Sequence, residues 1–190
     1  ALKSFYRCRE YNSTPEHIIE MCMNIIKIQC CTGSASRSQT YRSKAENSLT
    51  PEGTVTRAQL QAASGLVSLS SENYKTAAHK FLEVPFCLGQ TFSEVIIPQD
   101  VATCGTLCAL ATFSRKEIKS LVLSNRSFKS FLELVPHLQR LLTSFYQCNY
   151  SEFLTLLEQW KPIGALDYYL NPHLAWLTRE IRNRALVQYF

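Results

Sequence analysis

The side chains of this 190-residue chain best suited to chemistry are its eight cysteines, its four histidines and a run of arginines near residue 180. Cys104 and Cys108 stand one helical turn apart and could supply half of a zinc site, but a structural zinc takes four ligands. No second pair of suitable spacing accompanies them, because His17, His79, His137 and His173 are isolated and Cys30 and Cys31 are adjacent. No metal site and no cofactor are expected. A nucleophilic thiol or hydroxyl needs a base that is itself held by a third group. The chain has no G-x-S-x-G, no H-E-x-x-H and no glycine-rich phosphate loop. His17, beside Glu16 and close to Glu20, falls at a helix start, where acidic side chains suit the dipole and a surface role is enough to explain them. We therefore expect no catalytic residue and no enzyme; one unusually reactive thiol would be the sign of a cysteine-dependent alternative.

The arginines suggest a different use. Arg179 and Arg182 are three positions apart, within reach of one helix face, whereas Arg184 lies well away from both at 100° per residue. A solvated face is the plainer account; Arg179 and Arg182 are the candidate partner contacts, suited to an acidic protein partner ahead of nucleic acid, which requires a broader basic face with aromatic or amide readers. The net charge of +5 is spread along the chain and argues for no particular ligand.

Eight cysteines with three N-x-S/T triplets, at Asn12, Asn125 and Asn149, would fit a disulfide-bonded secreted chain. The helical context of Cys104 and Cys108, between Val101 and Ala111, instead fits reduced thiols in a core. No apolar run approaches the roughly 18–20 residues of a membrane span, and no membrane contact is expected.

The elements that must carry these residues read as helices throughout. Composition allows a sizeable core at 46% apolar, and six glycines and seven prolines are too few for an all-β fold with many tight turns. Apolar spacing predicts helices over His17–Ile28 and Arg57–Leu69, the second with small residues at Ala58, Ala62 and Gly65 that allow close approach. Further stripes run from Tyr74 to Leu82 and from Pro98 to Ala111, and Ser114 with Glu117 forms a capping-box pattern before Ile118, Leu121 and Val122. Phe128–Tyr146 should be broken or kinked at Pro136, Tyr150–Trp160 comes next, and Asn171 caps a last helix begun by Pro172.

Three aromatics, Tyr74, Phe113 and Tyr150, each open a second helix and are separated by 39 and 37 positions. The pattern Tyr74-x-x-Ala77-x-x-x-Phe81 is that of a tetratricopeptide-like hairpin, at a spacing longer than the roughly 34 residues of the regular repeat. Such pairs cannot bury their faces alone and stack into a solenoid. One more step back reaches Ala35, where a helix junction is due, but Thr32–Ser36, Arg37, Gln39 and Arg42 stand where apolar residues belong. We expect a frayed or poorly packed helix from about Ala35 to Glu46, followed by a loop through Thr54.

The stretches "IPQDVATCGTLCALATFSRKEIKSLVLSNRSFKSFLELVP", "LTSFYQCNYSEFLTLLEQW", "LNPHLAWLTREIRNRALVQYF", "HIIEMCMNIIKI" and "ALKSFYRCREY" resemble the family of COP9 signalosome subunit 1. This is a PCI-domain family with a homologous member in the regulatory lid of the 26S proteasome. The resemblance implies an all-α architecture: a tetratricopeptide-like helical-repeat segment over 1–97, eroded at 31–56, leading into the helical half of a PCI domain over 98–190. The family's winged helix would lie outside this chain, whose two ends look cut.

The resemblance further implies a scaffold that supports removal of Nedd8 from cullins, the hydrolysis belonging to a zinc-dependent subunit elsewhere in the complex. Expected partners are other signalosome subunits and components of cullin-RING ubiquitin ligases, with no homo-oligomer, and the expected location is cytoplasm and nucleus. A subunit of the proteasome lid or of another PCI complex is the alternative. Relatives carry an aromatic and several aliphatics from about Cys31 to Tyr41; this chain keeps only the tail of that segment, Ser43–Glu46.

Overall fold

The computed structural model describes residues 15–31, 39–48, 54–89 and 91–189. Among these residues it is all-α, a series of helical hairpins without a strand. In chain order the helices are α1 (Pro15–Cys31), α2 (Gln39–Ser48), α3 (Thr54–Ser70), α4 (Tyr74–Leu82) and α5 (Pro98–Thr112). They continue with α6 (Arg115–Glu117), which runs directly into a π-helical segment (Ile118–Leu123), then α7 (Arg126–Glu133), α8 (Pro136–Tyr146), α9 (Tyr150–Gly164) and α10 (Asn171–Tyr189). One apolar core extends from Met21 to Ala185 and is continuous across residue 98.

Close helix approach is set by glycine. A Cβ on Gly65 of α3 would fall 2.6 Å from the ring of Phe81 on α4, and one on Gly105 of α5 would fall 2.9 Å from the ring of Phe128 and 3.2 Å from Cβ of Phe81. Phe81 thus fills the space where α3, α4 and α5 meet, and is fully buried. A larger residue at either glycine would have to push a core aromatic out of place.

Two of the three repeat junctions are built alike. The α3–α4 and α8–α9 turns both end in a left-handed residue followed by Asn-Tyr: Glu72 (φ 57°) before Asn73-Tyr74, and Cys148 (φ 60°) before Asn149-Tyr150. In each, the Asn N–H donates to the carbonyl five residues back (Asn73 to Ser68, 2.9 Å; Asn149 to Ser144, 3.0 Å). The left-handed residue donates three back (Glu72 to Leu69, 2.9 Å; Cys148 to Phe145, 3.3 Å). This is a Schellman arrangement, satisfying carbonyls that the helix end would orphan. The third junction differs: Phe113 is in extended conformation and Ser114 starts α6 with the expected capping box, its N–H donating to Glu117 Oε2 at 2.7 Å while its hydroxyl accepts from Glu117 N–H at 3.3 Å.

Helix ends are also tied to one another across the fold. Asn125 donates from Nδ2 to Leu82 O at the end of α4 (2.9 Å), while its Oδ1 accepts from Phe128 N–H at the start of α7 (3.2 Å). The triplet Asn125-Arg126-Ser127 is therefore structural. The last helix returns to the middle of the chain, with Tyr74 stacked on Trp176 at 4.2 Å and its hydroxyl 3.1 Å from His173 Nδ1, and with Tyr169 Oη donating to Val95 O at 2.9 Å.

Several expectations change in detail. Residues 32–38, including the anticipated junction at Ala35, and residues 1–14 lie outside the described residues. Within the eroded stretch the structure has α2 from Gln39, packed on the core through buried Ala45 and half-buried Tyr41. Of the two expected outcomes at Pro136 the structure has the break, giving two helices, because proline removes a donor and disfavours helix at the preceding residue. Ile118–Leu123 widens to π, with Ser124 N–H donating to Lys119 O at 3.1 Å. At the α9–α10 turn the cap is Asp167, whose Oδ1 accepts from the N–H groups of Tyr169 (2.8 Å) and Leu170 (3.1 Å); Asn171 is already helical.

Gly65→Ala should cost about 1–3 kcal/mol by overpacking against Phe81, whereas Glu72→Gly, which removes a side chain from a left-handed position, should be neutral or stabilising by up to about 1 kcal/mol; urea midpoints at constant m check both. Lys75 Nζ stands 3.2 Å from Glu117 Oε1, and the Ser114 backbone N–H, the Ser114 hydroxyl and this lysine together hold the Glu117 carboxyl at about 2, below its ordinary 4.5. A depressed carboxyl stabilises the fold fully above pH 4.5 and ceases to do so as pH falls toward 2. Glu117→Gln should therefore flatten the acid limb of the stability profile in that window, and Ser114→Ala should lower stability at neutral pH by about 1 kcal/mol.

Candidate interaction surface

Cys104 and Cys108, the best metal-ligand pair by spacing, are fully buried in α5, and burial pushes the Cys108 thiol up to about 12 and that of Cys104 well above its ordinary value. Thiols held protonated in a core are packing residues. No group of three or more His, Cys, Asp or Glu converges as a metal site among the described residues. Cys22, Cys87, Cys104, Cys108 and Cys148 carry free thiols. His17 and Glu20 are exposed on α1.

The three arginines of α10 separate as their spacing suggests. Arg184 turns inward and donates to Ala111 O (3.0 Å) and Phe113 O at the end of α5, where the helix dipole favours a cation. Burial lowers its pKa, offset by Glu180 and Glu117. Arg179 is exposed, and Arg182 is ion-paired with Glu158 of α9, which also accepts from Lys161 at 3.1 Å.

Arg179 and Arg182 come together on the wall of a groove of about 860 Å³ between the end of α9 and α10, lined also by Lys161, Pro162, Leu174 and Leu186. A more apolar trough of about 440 Å³ adjoins it, formed by Tyr150, Leu154 and Leu186 with Arg182 and Glu158. Leu186 and Leu154 are 56% and 38% exposed. Three cations against one carboxylate, bordered by water-facing leucines, suit an acidic protein surface with an apolar anchor.

Sequence reading passed over Cys148, whose setting depends on the left-handed turn before α9. Hydrogen bonding from Tyr150 and the Arg115 guanidinium, with Nη1 2.9 Å from Sγ, lower the pKa of this half-exposed thiol, and burial with the neighbouring thiol raises the Tyr150 hydroxyl to about 12. Arg115 also donates to Tyr146 O at 2.8 Å and lies over the Tyr146 ring. Iodoacetamide at neutral pH should label Cys148 well ahead of Cys22, Cys104 and Cys108, and Arg115→Ala should slow that labelling several-fold; peptide mapping by mass spectrometry reads both.

Comparison with known proteins places this helical array. Residues 1–121 match the family described as 26S proteasome subunit RPN7. Over its full length the chain is 43% identical to COP9 signalosome complex subunit 1 of Arabidopsis thaliana, covering 43% of that protein, and 40% identical to COP9 signalosome complex subunit 1b of Drosophila melanogaster, covering 37% of it. A 26S proteasome non-ATPase regulatory subunit 6 from Oryza sativa subsp. japonica is 29% identical over 69% of the chain and 33% of its own length. The chain thus spans about two fifths of the length of the signalosome relatives it matches. It belongs to the RPN7 family of PCI-domain subunits, with its similarity to COP9 signalosome subunit 1 running from end to end.

Proposed function

We propose that this chain is a non-catalytic scaffold segment of a signalosome-type complex, contributing protein–protein contacts through which the complex supports deneddylation of cullin-RING ubiquitin ligases. The observation that carries this reading is similarity to signalosome subunit 1 over the whole chain, where similarity to the proteasome subunit covers 69% of it. The side-chain chemistry supports the same reading: the buried cysteines are packing thiols, and the exposed Arg179 and half-exposed Arg182 border apolar grooves. Within this proposal, residues 1–97 form the repeat segment and 98–190 the helical part of a PCI domain, the protein acts in cytoplasm and nucleus, and its partners are other signalosome subunits and cullin-RING ligase components. No nucleic acid, membrane, cofactor or second copy takes part. The family match under the name of a proteasome subunit favours, as a second reading, a scaffold of the proteasome lid or another PCI complex.

Affinity purification of the tagged protein from cells, with partners identified by mass spectrometry, separates the two. Signalosome subunits should be recovered in near-stoichiometric amount; lid subunits in their place would establish the second reading. Arg179→Glu with Arg182→Glu should reduce recovery by about tenfold, as for reversed charges at a docking surface, with a thermal midpoint lowered only slightly by loss of the exposed Arg182–Glu158 ion pair.

A further inference from the structure

Across the α9–α10 turn from the arginine groove lies a cleft of about 520 Å³ with the opposite character. Its borders are the first turn of α5, the start of α8 and the turn itself. Four water-facing apolar side chains gather on it, Leu134 (42% exposed) from the turn ahead of α8 and Ile163 (57%), Leu166 (87%) and Tyr168 (66%) from the end of α9 and the turn after it. Scattered exposed apolar residues are ordinary, but a group around one concavity marks a surface that becomes covered.

The charged side chains in the cleft lining are anionic. Asp100 enters from α5 and Asp167 from the turn, and no lysine or arginine lines the cleft among the described residues. Each carboxylate has a local duty, Asp167 in capping the turn and Asp100 in accepting from the N–H of Ile97 ahead of α5. Those duties do not remove the repulsion between them: burial and Asp167 together raise the Asp100 carboxyl to about 6 despite the Ile97 hydrogen bond. Two carboxylates in a partly dry concavity, without a counter-charge, favour an incoming cation over water or an anion.

We propose that this cleft docks a segment of another protein that presents a lysine or arginine between apolar side chains. The cation lies against Asp100 and Asp167, and its apolar neighbours cover Leu166 and Tyr168. Charge and shape together select this occupant: a purely apolar segment would leave the carboxylates uncompensated, and a polybasic one would leave the leucine and isoleucine rim wet. Such docking is a property of the chain itself and does not depend on which complex the protein joins.

The test uses the 190-residue chain, labelled with ¹⁵N and titrated with two capped peptides, Ser-Leu-Arg-Phe-Ser and its twin Ser-Leu-Glu-Phe-Ser. The arginine peptide should give saturable shifts at the amides of Thr103, Leu166 and Tyr168, with affinity about tenfold above that of the glutamate twin. Acidification from about pH 7.5 to about 5, across the titration of a carboxyl raised in this way, should weaken it several-fold. The groups facing Asp100 are Asp167, the neutral Cys104 thiol, the Ile97 N–H and, across the cleft, His137. Leu166→Ser, at an exposed side chain, and Asp167→Asn, which retains an acceptor for the turn, should each lower affinity several-fold at unchanged thermal midpoint. Equal binding of the two peptides, shifts centred elsewhere, or full affinity in Leu166→Ser would overturn the proposal. So would concentration-dependent shifts of the same amides without peptide, which would assign the cleft to a second copy of the chain.

Discussion

The placement of most of the fold depends on where one phenyl ring can go. Phe81 occupies the junction of α3, α4 and α5, and it reaches that position because Gly65 beneath its ring and Gly105 beside its Cβ carry no side chains. Phe128 also packs against Gly105, which brings α7 against α5. Once α5 is fixed, its end fixes more: Arg184 binds the Ala111 and Phe113 carbonyls and holds α10 along the middle of the array, where Trp176 meets Tyr74. Interiors packed at crystal-like density pass such constraints along, since no neighbour has slack to absorb a shift.

That return of α10 gives the α9–α10 turn two faces of opposite chemistry. On one, Lys161, Arg179 and Arg182 border leucines; on the other, Asp100 and Asp167 share a cleft with Leu166 and Tyr168. The separation requires Arg184 to be drawn inside. Were all three α10 arginines to face solvent, the helix would present a diffuse basic surface rather than a groove with a defined polarity.

Local signals in the sequence were legible where the physics is local. The Tyr74–Phe81 pattern, the Ser114–Glu117 capping box, the stop before Pro136 and the small residues of α3 all report contacts made within a hairpin or between adjacent ones. The divergence of Arg184 from Arg179 and Arg182 was also readable from angular spacing, although its partners 71 and 73 positions earlier were not. The stack of Tyr74 on Trp176, the meeting of Asp100 with Asp167, and the setting of Cys148 depend on tertiary placement or on a left-handed residue, for which the types Glu and Cys give no hint. The polar stretch before Ser48 was legible as an interruption of the repeat; that Ala45 and Tyr41 still seat α2 on the core depends on neighbours the pattern does not name.

Asn125 shows how finely one position can be specified. It must donate toward the carbonyl end of α4 and accept from the amide end of α7, a pairing of roles that a side-chain amide fulfils with one atom for each. Hydrolysis of that amide, the slow spontaneous ageing reaction of asparagine, exchanges a single NH₂ for an oxygen. The new carboxylate would still suit the start of α7, but it would set a negative charge against the negative end of α4. The junction of the two helices thus rests on one half-buried side-chain amide, where a change at a single atom would keep the cap on α7 and lose the tie to α4.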